Sequence, residues 1–496
     1  MPLARPEQPV ADLVARLIEY PEAEWLEFKE NNFQPDVIGE YISALSNSAA
    51  IIGRRVAYLI WGVRDSDRSI VGTAFAPETK KVGNEPLENW LSRLLSPRPS
   101  IQFAIGNVDE HPVVALTIPA ALREPVQFKG VAYIRVGSQK KKLSEYPEKA
   151  RLLWQALGSS SFESGIARHG LDAVEVLELL DYPAYFHLFK KPHPETRSGI
   201  LESLHSSSLI APDDMGRWAI TNLGAVLFAR NLDQFSSLSR KAVRVIRYSG
   251  NARIKTIKEQ EVSRGYAAGF ADLVKYIVDQ LPENEIIGQA LREVVPMYPE
   301  LAIRELVANA LIHQDFVISG AGPTVALFNN RIEISNPGRP LIDPSRFIDY
   351  EPRTRNEALG RAMRRVGICE ERGSGWDKIG FEVELHGLPA PLVEATEDFT
   401  RVVLFAPKAF NEMDRSERIQ AVYLHACLRY VARERMTNTS LRERFKIDRT
   451  NAAVASRLIR EAIRDKVIAL ADPQVQGFAQ RSYVPFWAAP GDPASA

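Results

Sequence analysis

The feature that most constrains this chain is the switching of its hydrophobic period over the first 150 residues. Residues 25–29 alternate apolar and polar side chains with period two, as a half-buried strand does. Residues 36–48 then repeat with helical spacing, Val37, Tyr41 and Leu45 lining up with Ile38 and Ile42. Residues 56–63 form an unbroken apolar run of strand length, and 70–72, 113–118 and 131–136 read as further strands. With a helical stretch at 10–20 leading in, this alternation describes an α/β unit.

At 496 residues the chain exceeds what one core sustains, and about 150 residues per domain suggests roughly three units. Residues 151–239 read as mainly helical and end in winged-helix grammar. The parts are a helix at 195–206, a small hairpin joining 209–210 to 218–220, and a helix at 222–229 capped by Thr221. Residues 240–408 are mixed again. They carry a strand at 243–248, helices at 266–280, 299–313 and 357–366, a hairpin turning at Asn329-Asn330, and a closing strand at 401–405. Residues 409–496 give helices at 417–434, 439–445 and 450–466, with 467–470 and 483–487 pairing as a wing. The expected domains are therefore 1–150, 151–239, 240–408 and 409–496, an α/β multidomain protein.

Composition removes several classes. Two cysteines, Cys369 and Cys427, exclude a four-cysteine zinc site, a CxxC redox motif and a disulfide framework. The longest strongly apolar run is the octet 56–63, too short to span a bilayer, and no secretory signal is evident, so the expected location is cytoplasmic with no membrane partner. Lys+Arg and Asp+Glu both number 62, yet residues 415–466 hold 13 basic against 6 acidic side chains. That stretch is the electrostatic outlier.

On the 299–313 helix, Glu305, Asn309 and His313 stand at i, i+4 and i+8, so they project from one face. A carboxylate beside an amide oxygen can orient water and ligate Mg²⁺, which takes few protein oxygens plus substrate phosphates. Taken alone, that spacing also fits a solvated polar face. Further along come Asn336-Pro337-Gly338, a basic stretch with Arg353, Arg355, Arg361, Arg364 and Arg365, and Gly373-Ser374-Gly375 at an expected helix start. Glycines and free amides at a helix amino terminus favour phosphate. Near the amino terminus, Glu22, Glu27, Lys29 and Asp65 form a second set, able to hold a divalent metal or simply to make a charged strand edge.

The segments ELVANALIHQDF, RIEISNPG, RNEALGRAMRRVG and ERGSGWDKI resemble the GHKL ATPase superfamily, and more closely the ATPase-like domain of bacterial proteins labelled RecG-related, over about 240–405. The resemblance implies an α/β sandwich binding ATP and Mg²⁺. Glu305 would be the general base, Asn309 the Mg²⁺ ligand, Gly373, Ser374 and Gly375 the phosphate cradle, and Asn336 to Gly338 the adenine neighbour, with His313 in the same cofactor set. One departure is Asn336, where the superfamily usually presents Asp; its side-chain carbonyl can still accept the adenine amino hydrogen.

EAEWLEFKEN, ISALSNSAA, AYLIWGVRDSDRSIVGTAF and VAYIRVGSQKKKL resemble the Schlafen-type AlbA-like domain over about 15–150. Nuclease members use an ExxxxEFK pattern and a later Asp as metal-binding carboxylates, which implies Glu22, Glu27 and Asp65 with Lys29, holding Mg²⁺ or Mn²⁺. The helix-to-strand loop, commonly a GG pair, reads Ala49 to Arg55 here. Lys140, Lys141 and Lys142, with Arg135 and Lys129, are expected as a phosphate-facing patch.

In the last module the expected recognition helix carries Arg457, Arg460 and Arg464. A dimerisation or protein-contact module is the alternative there. Together these features describe an ATP-responsive, nucleic-acid-acting protein, a homo-oligomer in a defence or stress setting, with ATPase and nuclease activity as the enzymatic expectations. The alternative is a non-enzymatic, ATP-sensing DNA-binding transcriptional regulator.

Overall fold

The computed structural model describes residues 8–99, 101–122, 124–159, 162–213, 217–281, 283–287, 292–351, 353–369, 375–475, 477 and 480–489. They form two compact units: residues up to Tyr182 with Pro192–Val226 and Gln234–Leu238, and Pro183–Lys191 with Leu227–Asp233 and everything from Ser239 onward. Residues 183–191 and 227–233, expected with the connector, cluster with the second unit. Among the described residues no helix is long and apolar enough to cross a membrane.

The first unit opens with α1 (Gln8–Leu17), β1 (Leu26–Lys29), α2 (Pro35–Ile51) and β2 (Val56–Trp61). It continues with α3 (Leu87–Leu94), β3 (Leu95–Ser96), β4 (Gln102–Val108), β5 (His111–Pro119), β6 (Gln127–Phe128), β7 (Val131–Val136) and β8 (Gln139–Lys142). One sheet runs β1-β2-β5-β4 and the other β8-β7-β6-β3. β1 and β2 pair in parallel, which requires the crossover that α2 supplies. The expected strand at 70–72 is reduced to a single bridge between Val63 and Ile70.

α2 is buried on both sides, and its ISALSNSAA segment replaces apolar packing with hydrogen bonds. Asn47 donates from Nδ2 to the Val126 and Tyr133 carbonyls at 2.8 Å each and accepts from the Val126 N–H at 2.7 Å. Ser43 accepts from the Tyr133 N–H (2.9 Å) and Ser48 from the Arg135 N–H (2.8 Å). These bonds fix the register of β7 against the helix, and with it the direction in which Arg135 enters the core. Gly39 admits the Phe128 ring, which lies 2.2 Å from where a Cβ would sit.

The first unit ends with a three-stranded sheet of Ile166–Leu171, Trp218–Thr221 and Ile210–Pro212. Thr221 accepts from the Gly224 N–H at 3.0 Å, capping the helix Asn222–Phe228.

In the second unit, β9 (Val243–Tyr248), β10 (Thr256–Val262), α4 (Tyr266–Asp279), α5 (Glu300–His313), β11 (Thr324–Leu327), β12 (Arg331–Pro337), α6 (Glu357–Arg365), α7 (Gly375–Leu385), β13 (Leu392–Ala395) and β14 (Phe399–Phe405) follow in order. The six-stranded sheet runs β10-β9-β11-β12-β14-β13, so the strand expected to close it is internal and β13 is the edge. α5 lies against β12, flanked by α4 and α7. Buried Asn356 donates to the Ile312 carbonyl at 2.7 Å and the Gln314 carbonyl at 2.8 Å, satisfying the carboxy-terminal end of α5.

The chain finishes with α8 (Arg415–Val431), α9 (Asn438–Phe445), α10 (Ala452–Arg464) and a hairpin of β15 (Ile468–Leu470) with β16 (Tyr483–Pro485). Capping boxes at Asp414 and Thr437 start α8 and α9.

Candidate functional site

A cavity of about 190 Å³ in the second unit brings together residues from α5, β12, β14, α6 and α7. Glu305, Asn309 and His313 all line it, with Leu306 and Ala310 beside them, because helical spacing keeps them on one side of α5 while Ala302, Ile303 and Val307 pack inward. Asn336 lines it from β12, with Ile334, Thr400 and Val402 beside it. Gly375, the first residue of α7, faces Glu305 and Asn309: a Cβ there would stand 3.1 Å from Glu305 Oε2 and 3.8 Å from Asn309 Nδ2. Gly373 and Ser374 lie outside the described residues.

Glu305 is 4% exposed and Asn309 partly open to the cavity. Burial pushes the His313 imidazole down to about 4, with Arg355 adding to the effect, so His313 is neutral at pH 7. Asn336 donates its Nδ2 to the Pro337 carbonyl at 3.1 Å, and among the described residues no donor reaches its side-chain carbonyl. Gly338 does not line the cavity. It adopts φ +91°, and a Cβ there would stand 2.7 Å from the Asp315 Cβ and 2.8 Å from Arg355. Its role is to let the strand end pass behind the wall.

Much of the wall leaves no mark in the sequence. Phe347 and Trp376 meet at 4.9 Å between ring centroids and, with Tyr350, build its aromatic side. Helical or strand periodicity carries no signal for loop aromatics such as Phe347 and Tyr350.

The amino-terminal carboxylates are differently placed. Glu27 is 1% exposed and ion-paired to both Lys29 and Arg135, and Arg135 itself is fully buried. Glu22 accepts from the Phe28 N–H at 2.9 Å and lies 3.9 Å from Arg135. Burial pushes the Glu22 carboxyl up to about 7, opposed by the Phe28 bond and assisted by the neighbouring Glu27 charge. Tyr41 adds its ring to this cluster, 5.6 Å from the Arg135 guanidinium and 4.6 Å from Lys140. Asp65 is exposed on the loop after β2.

A divalent metal does not fit this arrangement. Arg135 and Lys29 already neutralise Glu27, and among the described residues no three His, Cys, Asp or Glu side chains are grouped to hold an ion. The expected phosphate-facing patch also divides. Arg135 is core, Lys129 pairs with Asp36, and Lys140 pairs with Glu40. Because β8 is a strand, Lys141 points to the face opposite Lys140 and Lys142.

In the carboxy-terminal module, Arg457, Arg460 and Arg464 are all exposed on α10, opposite buried Ala455, Leu458, Ile459 and Ala462. Among the described residues Arg457 and Arg460 have no carboxylate partner, whereas Arg464, behind the Arg415 hydrogen bond, helps to hold the Asp465 carboxyl low.

Two stretches of the chain match known family models. Residues 22–144 match the family model described as "Schlafen, AlbA_2", and residues 320–404 the one described as "Putative ATP-dependent DNA helicase recG C-terminal", a HATPase_c_4 domain. This multidomain α/β chain thus carries a Schlafen AlbA_2-like domain and a HATPase-like domain of the RecG carboxy-terminal kind. The two together point to nucleotide binding and a nucleic-acid-related role. α5, with Glu305, Asn309 and His313, precedes the matched residues, so their assignment rests on the cavity.

Among solved structures, the DIP2311 protein from Corynebacterium diphtheriae is 16% identical, with 97% of each chain covered and a TM-score of 0.42. The N-terminal domain of a RecG-related protein from Nitrosomonas europaea is 20% identical over 26% of this chain and 90% of its own, with a TM-score of 0.19. No curated protein matches the chain.

Proposed function

We propose that this protein binds ATP with Mg²⁺ in the cavity of the second unit and uses that binding to control its hold on nucleic acid. The observation that carries the reading is the convergence of Glu305, Asn309, Asn336 and Gly375 on one cavity. The residues fit the ligand. A carboxylate and an amide oxygen are hard donors suited to Mg²⁺, and the Gly375 approach leaves room that any Cβ would fill. Bound Mg²⁺ would supply charge neutralisation for the phosphates, with Asn309 holding it. Glu305 would hold a water and take its proton, His313 would remain neutral, and Asn336 would accept from the adenine amino group.

A route from cavity to nucleic acid is supported by α7. The helix begins at the cavity with Gly375, and a Cβ on Gly380 would stand 3.1 Å from Leu424 and Leu428 of α8. Near its end Glu384 meets His425 at 3.1 Å and Arg444 at 3.2 Å. A shift at the start of α7 would therefore be felt by α8 and α9, which both pack on α10, the helix that carries Arg457, Arg460 and Arg464, read here as phosphate contacts in a winged-helix module.

The second reading, an ATP-sensing regulator that cuts nothing, is favoured by the internally neutralised Glu27. Calorimetry with a non-hydrolysable ATP analogue and Mg²⁺ tests the shared core of both. Wild type binds, and Asn309→Ala weakens binding at least about tenfold. A wild type giving no heat overturns both. Glu305→Gln then separates the two: turnover falls by about 10²–10⁴ if Glu305 is a general base, and nothing changes if the wild type only senses ATP.

A further inference from the structure

The cavity wall is not built evenly. Most of its lining stands on helices or strands, but Leu341, Ile342, Phe347 and Tyr350 come from the segment 341–350, which holds only a single 3₁₀ turn, Pro344–Arg346. Asp343 starts that turn by accepting from the Ser345 N–H at 2.8 Å, and the Arg346 and Tyr350 N–H groups donate to the Asp343 and Arg346 carbonyls at 2.9 and 3.0 Å. Among the described residues the segment makes no backbone-to-backbone hydrogen bond outside itself. A segment tied in this way takes its position from side-chain contacts.

Side chains meet it on both faces. On the cavity face Phe347 packs against Trp376 at the start of α7. On the outer face the carboxy-terminal module reaches it. Tyr423 of α8 donates its hydroxyl to the Ser345 carbonyl and accepts from the Trp487 Nε1–H at 3.0 Å. Trp487 stands in the 3₁₀ turn Phe486–Ala488 directly after β16, is 5% exposed, and has the Arg346 guanidinium 5.3 Å from its ring. Arg346 lies 5.1 Å from the Tyr350 ring on its other side and is paired with Asp349 at 2.6 Å. The Phe486 N–H donates to the Val467 carbonyl at 3.1 Å, so the turn that carries Trp487 also closes the β15–β16 hairpin. A phenol has one hydrogen to give; Tyr423 gives it to the cavity wall while its oxygen takes one from the hairpin turn.

We propose that the Tyr423 hydroxyl is a latch between the cavity's aromatic wall and the carboxy-terminal hairpin, so that a ligand seated against Phe347 and Tyr350 changes the hairpin, and the hairpin in turn sets the wall. The coupling is reciprocal, as any linkage between two sites is. It is separate from the contacts of α7, which meets α8 at Gly380 and α9 through Glu384 and does not touch Ser345 or Trp487. The proposal rests on reading the cavity as a nucleotide site and adds the segment by which that site is regulated. Tyr423 is a positioning residue.

The test is hydrogen–deuterium exchange on the full chain, with and without a non-hydrolysable ATP analogue and Mg²⁺ at a saturation set by calorimetry. In the wild type the analogue should slow exchange in 341–350 and also in 467–470 and 483–488. Tyr423→Phe keeps the ring and removes the hydroxyl; it should keep the protection of 341–350 and lose that of the hairpin. Trp487→Phe, which removes the Nε1–H and keeps an aromatic ring, should lose it too, and it carries the test if the unfolding midpoint shows Tyr423→Phe to be unfolded. A hairpin that ignores the bound analogue in the wild type overturns the proposal, as does one that responds equally in the variants, and both leave the nucleotide reading standing. A wild type that gives no heat with the analogue overturns that reading, and the proposal with it.

Discussion

The two polar clusters of this protein contain similar residue types and do opposite things with them. In the first unit, Glu27 is closed off by Arg135 and Lys29, and the buried guanidinium has its carboxylates beside it. In the second, Glu305 and Asn309 line an open cavity whose Arg353 and Arg364 have no acidic partner among the described residues. A polar cluster whose charges cancel internally is held by the fold. One whose cations are left over has charge to offer a ligand. The number of carboxylates in a motif does not separate the two cases, but the pairing does.

The largest test of this contrast is Arg135→Met. It leaves Glu27 buried without its main partner, and should cost about 3–5 kcal/mol of unfolding free energy in urea titration. Because a buried pair replaced by apolar groups is often neutral, adding Glu27→Leu should recover most of that loss. A single substitution costing under about 1 kcal/mol would show that Glu27 is not closed by Arg135, and would reopen the first unit to a metal.

A smaller effect separates Glu22 from Glu27. The folded carboxyl of Glu22 titrates near 7, above its ordinary 4.5, so the native state binds the extra proton. The sign follows: this group favours folding below 4.5, the contribution is lost as pH rises from 4.5 to 7, and it stays lost above. With its solvent-facing side allowed for, the swing is about 1 kcal/mol. Urea midpoints at pH 5 and pH 8 should differ accordingly in the wild type, and Glu22→Gln should flatten that difference. An unchanged difference would mean that Glu22 is as solvated as any surface carboxylate.

How much of this was legible depended on which periodicity carried the information. Glu305, Asn309 and His313 could be grouped from sequence because a helix of known phase sets their face. The placement of Asn336 followed from the β11–β12 hairpin, whose turn at Asn329-Asn330 is local. Arg135 could not be read. Its burial depends on Ser43, Asn47 and Ser48, some ninety residues earlier, hydrogen-bonding the strand that carries it. The lysine run at 140–142 looked like one patch because charge was counted along the chain and not across a strand. β4, β10 and β13 went unseen for a related reason. β10, TIKEQEV, is exposed along nearly its whole length, so no apolar alternation marks it.

The sharpest comparison uses one substitution twice. Arg364→Met changes the same guanidinium to the same thioether as Arg135→Met, but at a half-buried side chain with no carboxylate beside it among the described residues. Its unfolding free energy should shift by no more than about 0.5 kcal/mol, as for substitutions that touch no native pairing. If the fold needed both arginines equally, the two variants would fall together. If Arg364→Met is as damaging as Arg135→Met, the second cluster is internally closed as well, and the cavity is a packed polar core with no room in its charge balance for an anion. A stable Arg364→Met beside a crippled Arg135→Met instead means that the guanidinium at Arg364 is not spent on holding the fold, and is free to meet an anion.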